Sequence, residues 1–268
     1  MKNFFLAALF LTTTMLLSAC GGQQNFDNAI NKSHEKIVIG LDDEFAPMGF
    51  RDENNELVGF DVDLAKEAGR RLGVRFEFKP IDWNNKRQEL ESGNIDIIWN
   101  GLDITDERKE YMIFSKPYMN DRQIFLVKRG NTQDIRSEGD LAGKLVGTQA
   151  GSAAETYVNK NEDLKLSVRK LKIFDKFKDA INALKTDEIN VLVCDEMIAR
   201  YEMKTQPDTF EIVDVHSDYV TKMGIGFRKD DTELRDQIQK VFDEMIADGT
   251  AKEISEKWFN ADLIVHKK

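Results

Sequence analysis

Short apolar runs with strand-like spacing alternate along this chain with stretches whose apolar residues recur every three or four positions. That alternation restricts the fold more than any one motif. Lys36 to Leu41 reads as a strand, and Phe60, Leu64, Ala68 and Leu72 form one helical stripe that stops at Gly73. Val74, Phe76 and Phe78 alternate as a strand until Pro80. A short helix over 83–92 stops at Gly93, and a buried strand starts at Ile95. A second set follows Pro117-Tyr118, with strands predicted at 123–128, 144–148, 166–171 and 189–195. The turn Ala150-Gly151-Ser152 opens a helix through Tyr157, and Phe177, Ala180, Ile181 and Leu184 mark another. Leu234, Ile238, Val241, Phe242, Met245 and Ile246 fit one face of a tail helix, and Ile254, Trp258 and Phe259 suggest a final docked turn. Strands alternating with helices predict an α/β chain with mostly parallel sheets. Extended segments near 118–123 and 219–224, neither rich in Gly, Ser or Pro, predict packed crossovers between two lobes.

The N-terminus reads as export chemistry. Lys2 precedes an apolar stretch from Phe4 to Leu17, too short for an ordinary membrane span, followed by Leu17-Ser18-Ala19-Cys20-Gly21. This resembles a lipobox, with residues 1–19 as signal peptide and a diacylglyceryl thioether on Cys20; a plain secretory signal is the alternative. Residues 20–35 are polar and unpatterned, as expected of a lipid-anchored tether that holds the body at the outer face of a cell membrane. The formal charge of −10 becomes more negative when Lys2 leaves with the signal, which argues against nucleic acid as a partner. Cys194, in the apolar run 189–193, has no second cysteine to pair with once Cys20 is modified, and reads as a small core residue. His34, His216 and His266 have no ligand spacing, so no metal site and no cofactor is expected.

Residues 95–108 carry the sharpest chemical signal. A buried strand breaks at Asn100-Gly101, and Thr105 then N-caps a helix with Arg108 just inside it. A permanent cation beside helix N–H groups suits a small carboxylate. A surface arginine paired with Asp106 or Glu107 is the plain alternative. Ligands in open α/β sheets collect outside the carboxyl ends of strands, and Asp42, Asn100-Gly101, Gln149 to Gly151 and Asp195 all stand at such ends.

Gly59-Phe60-Asp61-Val62-Asp63-Leu64-Ala65, Ile104-Thr105-Asp106-Glu107-Arg108 with Phe114-Ser115, and Gly249-Thr250 before Trp258-Phe259 resemble the polar-amino-acid ABC-transporter solute-binding proteins. The resemblance runs from about Lys36 to Phe259. It implies a two-lobed periplasmic-binding-protein-like (type II) fold with two crossover hinge strands, lobe 1 from 36–119 and 224–268 and lobe 2 from 120–223. It also implies a monomer that passes one free amino acid to a membrane permease. By motif position, Arg108 takes the ligand carboxylate, helped by the Ser152 hydroxyl and backbone N–H groups at the helix start beyond Gly151, and Asp195 takes the ammonium. Phe45 and Trp83 wall the side chain, Asp42 reaches its distal end, and Gln149 and Thr221 add polar contacts. Asn100, Gly101 and Ala153 complete the ligand-binding positions.

Asp103 departs from the pattern, in which Ser or Thr is usual; a second acid beside Asp195 raises a pKa unless a cation separates them. Flat aromatic walls with Asp42 point to a cationic amino acid, with cystine or glutamine as the alternative. A two-lobed dehydratase-type enzyme is the competing class, for which acid pairs such as Asp42/Glu44 or Asp195/Glu196 could do acid–base work. No nucleophile–base pair supports it.

Overall fold

The computed structural model describes residues 37–131, 135, 137–213 and 220–265. The expected signal, Cys20, the tether and the three histidines lie outside the described residues.

Two lobes are built on two sheets. The first contains β1 (Val38–Leu41), β5 (Glu77–Pro80), β6 (Ile97–Ile98), β7 (Met112–Phe114) and β14 (Gly226–Arg228), in the order β5-β1-β6-β14-β7. The second contains β8 (Met119–Lys128), β9 (Leu145–Gln149), β10 (Lys170–Phe174), β11 (Val191–Asp195) and β12 (Phe210–Val213), in the order β10-β9-β11-β8-β12. β13 (Val220–Met223) also pairs with the N-terminal half of β8. A small antiparallel sheet of β2 (Glu44–Phe45), β3 (Gly49–Arg51) and β4 (Leu57–Val58) sits on the first lobe.

The helical stripe starting at Phe60 becomes α1 (Phe60–Leu72), with Phe60, Leu64 and Ala68 buried and Gly73 as a left-handed cap. α2 (Lys86–Glu91) follows a 3-10 turn, Trp83–Asn85, capped by Asp82. α3 (Asp106–Lys109) is a single turn. α4 (Ala153–Lys160), α5 (Glu162–Ser167), α6 (Phe177–Lys185) and α7 (Glu196–Thr205) cover the second sheet. α8 (Thr232–Ala247) and α9 (Thr250–Phe259) return to the first lobe and pack on α1. Cys194 is free and fully buried.

Several expectations need correction. The sheets are mixed: β1 runs parallel to β5 and β6, and β9 parallel to β10 and β11, but β8 and β14 run antiparallel to every partner. Helical crossovers produce the parallel pairs, and the returning strands have none. Residues 166–167 end a helix, because the Asn161 side chain accepts the Leu164 N–H and caps α5; β10 starts only at Lys170. Residues 74–76 are used to leave α1, with the Val74 N–H bonded to the Gly69 carbonyl, so β5 starts at Glu77. The docked turn near Trp258 is a ten-residue helix.

Candidate functional site

Thr105 caps α3 through its side-chain oxygen, which accepts the Arg108 N–H at 3.2 Å, and so short a helix turns Arg108 inward rather than along the surface. Asp106 pairs with Lys109 instead, and Arg108 is only 5% exposed. One guanidinium nitrogen donates to the Asp103 carbonyl at 2.8 Å, the other to the Gly151 carbonyl at 3.0 Å, which belongs to the second lobe. The ammonium of Lys86 also donates to the Gly151 carbonyl at 3.0 Å, and to that of Trp83. Gly151 has φ +65°, a left-handed conformation that favours glycine. Ser152 caps α4: its hydroxyl donates to the Gln149 carbonyl and accepts the Glu155 N–H. Its one donor is therefore spent, and the hydroxyl has none to offer a carboxylate in this arrangement. The Gly151 N–H is likewise held by Glu155 Oε2, which leaves Ala153 as the first buried residue of the helix beyond.

At the other end of the seam are three buried acids. Asp195 ends β11, where the Gln123 side-chain amide donates to it at 2.6 Å and to Asp121 at 3.4 Å. Asp121 stands opposite Thr221 on β13, and Asp103 bridges to Met223 on the same segment. Burial, then the charge of Asp195, push Asp103 up to about 7 against the opposing pull of Arg108. Burial, then Asp195 and Asp103, hold Asp121 well above the usual carboxylate range. Asp195 is raised by burial and eased by Gln123. Asp103 Oδ1, Gln123 Oε1 and Thr221 Oγ1 are buried without a hydrogen-bond partner among the described residues.

The expected side-chain pocket is already furnished with lysines. Asp42, nearly fully buried, accepts Lys176 Nζ at 2.7 Å and the Gln149 amide at 2.9 Å, both from the second lobe. Lys86 Nζ stands 5.1 Å from the Trp83 ring centroid. Phe45 packs on Phe177 with ring centroids 5.6 Å apart. The Asn100 side-chain oxygen accepts the Asp42 N–H, and Gly101 (φ +58°) donates its N–H to Asp61, which also accepts the Tyr118 hydroxyl. A groove of about 860 Å³, lined among others by Glu44, Phe50, Lys178 and Glu202, opens beside Asp42 but touches neither Arg108 nor the acids. Charge, rather than open volume, marks the site.

The structure thus brings Arg108, Asp103, Asp195 and Thr221 into one seam. Asp42 and Gln149 bond to each other across the lobes, Phe45 packs across them on Phe177, Asn100 holds the Asp42 backbone, Gly101 is bonded to Asp61 within the first lobe, and Trp83 lies against Lys86. Sequence reasoning missed Asp121, Gln123, Lys86 and Lys176. The signal for the first two was available: in the run 119–128, Asp121 and Gln123 are polar residues on one face of an otherwise apolar strand.

The model of the bacterial extracellular solute-binding proteins, family 3, matches residues 37–261. The chain belongs to that family. This binding protein is 30% identical over 239 residues, 88% of each chain, to the L-cystine-binding protein TcyJ of Escherichia coli K12. A Streptococcus pneumoniae ABC uptake transporter substrate binding protein, solved with bound histidine, superposes with a TM-score of 0.82 at 35% identity, covering 86% of this chain and 95% of that one. An ancestral arginine-binding protein bound to arginine superposes with a TM-score of 0.77 at 41% identity, over 84% and 98%.

Proposed function

We propose that the protein captures one free polar amino acid between its lobes and passes it to the permease of an ABC importer, acting as a binder rather than an enzyme. In this reading it is an exported monomer anchored through a lipid on Cys20. The lobes divide at 36–119 with 224–268 and at 120–223, and they hinge on the paired segments around 119–122 and 220–223. The observation that carries the reading is the polarity of the seam: a buried Arg108 whose guanidinium donates to the Asp103 and Gly151 carbonyls at one end, and at the other the buried acids Asp195 and Asp103, with Asp103 Oδ1 and Thr221 Oγ1 unpartnered among the described residues. A zwitterion fits that polarity. Its carboxylate replaces the carbonyls as partner of Arg108, and its ammonium supplies donors to Asp195, Asp103 and Thr221. Each charge-assisted bond contributes roughly 1.5–3 kcal/mol, so four or five, less the ordering cost, reach the roughly −8 kcal/mol of a micromolar complex. Because the partners belong to different lobes, occupancy favours closure.

Relatives named for cystine and arginine, and a neighbour solved with histidine bound, support the common head group rather than one side chain. The cationic expectation rested on Asp42 between the aromatic walls Phe45 and Trp83, and Asp42 already holds Lys176. That favours a far end that is neutral or carries both charges, as in glutamine or cystine, over arginine or lysine. The test is a thermal-shift and calorimetric panel of amino acids. A ligand at one hundred times its Kd should add ~2.7 kcal/mol of stability. Arg108→Ala should abolish binding while the protein still melts cooperatively; full affinity in that variant would defeat the assignment.

A further inference from the structure

Lys86 opens α2 and is 6% exposed, yet its partners are the carbonyls of Trp83 and Gly151, both at 3.0 Å. An ammonium removed from water without an anion is costly. Burial, then the repulsion of Arg108, pull Lys86 down to about 7, while Glu107, Glu155 and Asp82 oppose this from the surrounding elements. Arg108 meets it on the same Gly151 oxygen. Two cations thus converge on one neutral acceptor, which can screen them but cannot neutralise them. Lys86 keeps a third donor, and the guanidinium has five, of which two are engaged here. Within this polar seam, the group that satisfies both cations is a carboxylate placed against Gly151.

Resting on the amino-acid-binding reading, we propose that Lys86 is a second carboxylate-binding residue, which closes with Arg108 a two-cation clamp on the ligand's α-carboxylate. The clamp matches the opposite pole, where more than one acid faces the ammonium.

The experiment titrates the mature protein, Lys86→Gln and Lys86→Arg with L-glutamine, L-cystine and L-arginine, and with glutaminamide and argininamide, whose α-carboxylates are neutralised. Lys86→Gln should weaken the free acids about tenfold or more and the amides less than twofold. Lys86→Arg should recover most of the loss. At pH 8, titrations in two buffers of different ionisation enthalpy should show the wild type taking up more proton on binding than Lys86→Gln; this readout decides if the amides bind too weakly. Equal losses for acid and amide, or no loss, would show that Lys86 only ties the 83–86 turn to Gly151. A loss confined to cystine would move Lys86 to the far end of the ligand. If none of these probes binds the wild type, the parent reading has failed for them, a result distinct from any outcome for Lys86.

Discussion

Burial, more than their mutual repulsion, raises Asp103, Asp121 and Asp195, and Asp103, at about 7, holds a proton up to near neutral pH. An arriving ammonium favours their ionised forms and should expel a proton. Since Asp103 is raised to about 7, the ligand-free protein keeps its proton below that pH, and this titration should make affinity climb between about pH 6 and 8 in Lys86→Gln, where the opposing loss of the lysine's proton is absent. Asp103→Asn cannot release that proton, so calorimetry at pH 6.5 in two buffers should find less proton release in the variant than in the wild type. Equal release would assign the titration elsewhere. The departure of Asp103 was legible in the sequence because the motif fixes its neighbours. Asp121 showed only as a polar residue on one face of an apolar strand; its partnership with Asp195 was not legible, because a strand pairing far along the chain brings the two together.

At the scale of the elements, the turn after β6 is held by Asp61 of α1, whose Oδ2 accepts the Gly101 N–H at 2.6 Å and the Tyr118 hydroxyl at 2.9 Å. Full burial pushes Asp61 up to about 7, against the lowering effect of those bonds. The unfolded chain ionises near 3.8, so this group's contribution to stability is complete below that value and is lost as pH rises to about 7. Asp61→Asn keeps an acceptor and removes the titration. Urea unfolding should therefore show the variant gaining on the wild type between pH 5 and pH 8; a constant difference would contradict the shift. Asp61→Ala leaves both donors unpaired and should cost about 2–4 kcal/mol. The elements themselves were readable where period and cap agreed, as in α1 with its Gly73 stop and in the cap at Thr105. Residues 166–171 misled because Leu166, Val168 and Leu171 suggest a strand, while the deciding cap at Asn161 lies five residues upstream.

Across the whole molecule, the lobes are joined by the chain's own contacts. Lys176 and Gln149 reach Asp42, Lys178 reaches Glu44, Phe177 packs on Phe45, and Tyr201 packs on Phe50 at 5.8 Å. These contacts stabilise closure whichever amino acid is bound. Lys176→Met leaves Asp42 buried without its cation, and should weaken all ligands by a similar factor, about tenfold or 1.4 kcal/mol. Small-angle scattering should show a larger radius of gyration for the ligand-free variant than for the wild type. A loss restricted to one ligand would instead make Lys176 a contact residue.

Alternating apolar patterns, glycine stops and N-caps depend on neighbours within a few positions, so the alternation of strands and helices, the cap at Thr105 and the acid at the end of β11 were determined by the sequence alone, whereas the inward turn of Arg108 was decided by the fold. Which charges meet was not. Lys86 and Arg108 converge on Gly151, Asp121 stands beside Asp195, and Lys176 neutralises Asp42 only because the two sheets face each other across the seam. Electrostatic partnership depends on distance in space and on loss of water, and both are set by the packing of the lobes.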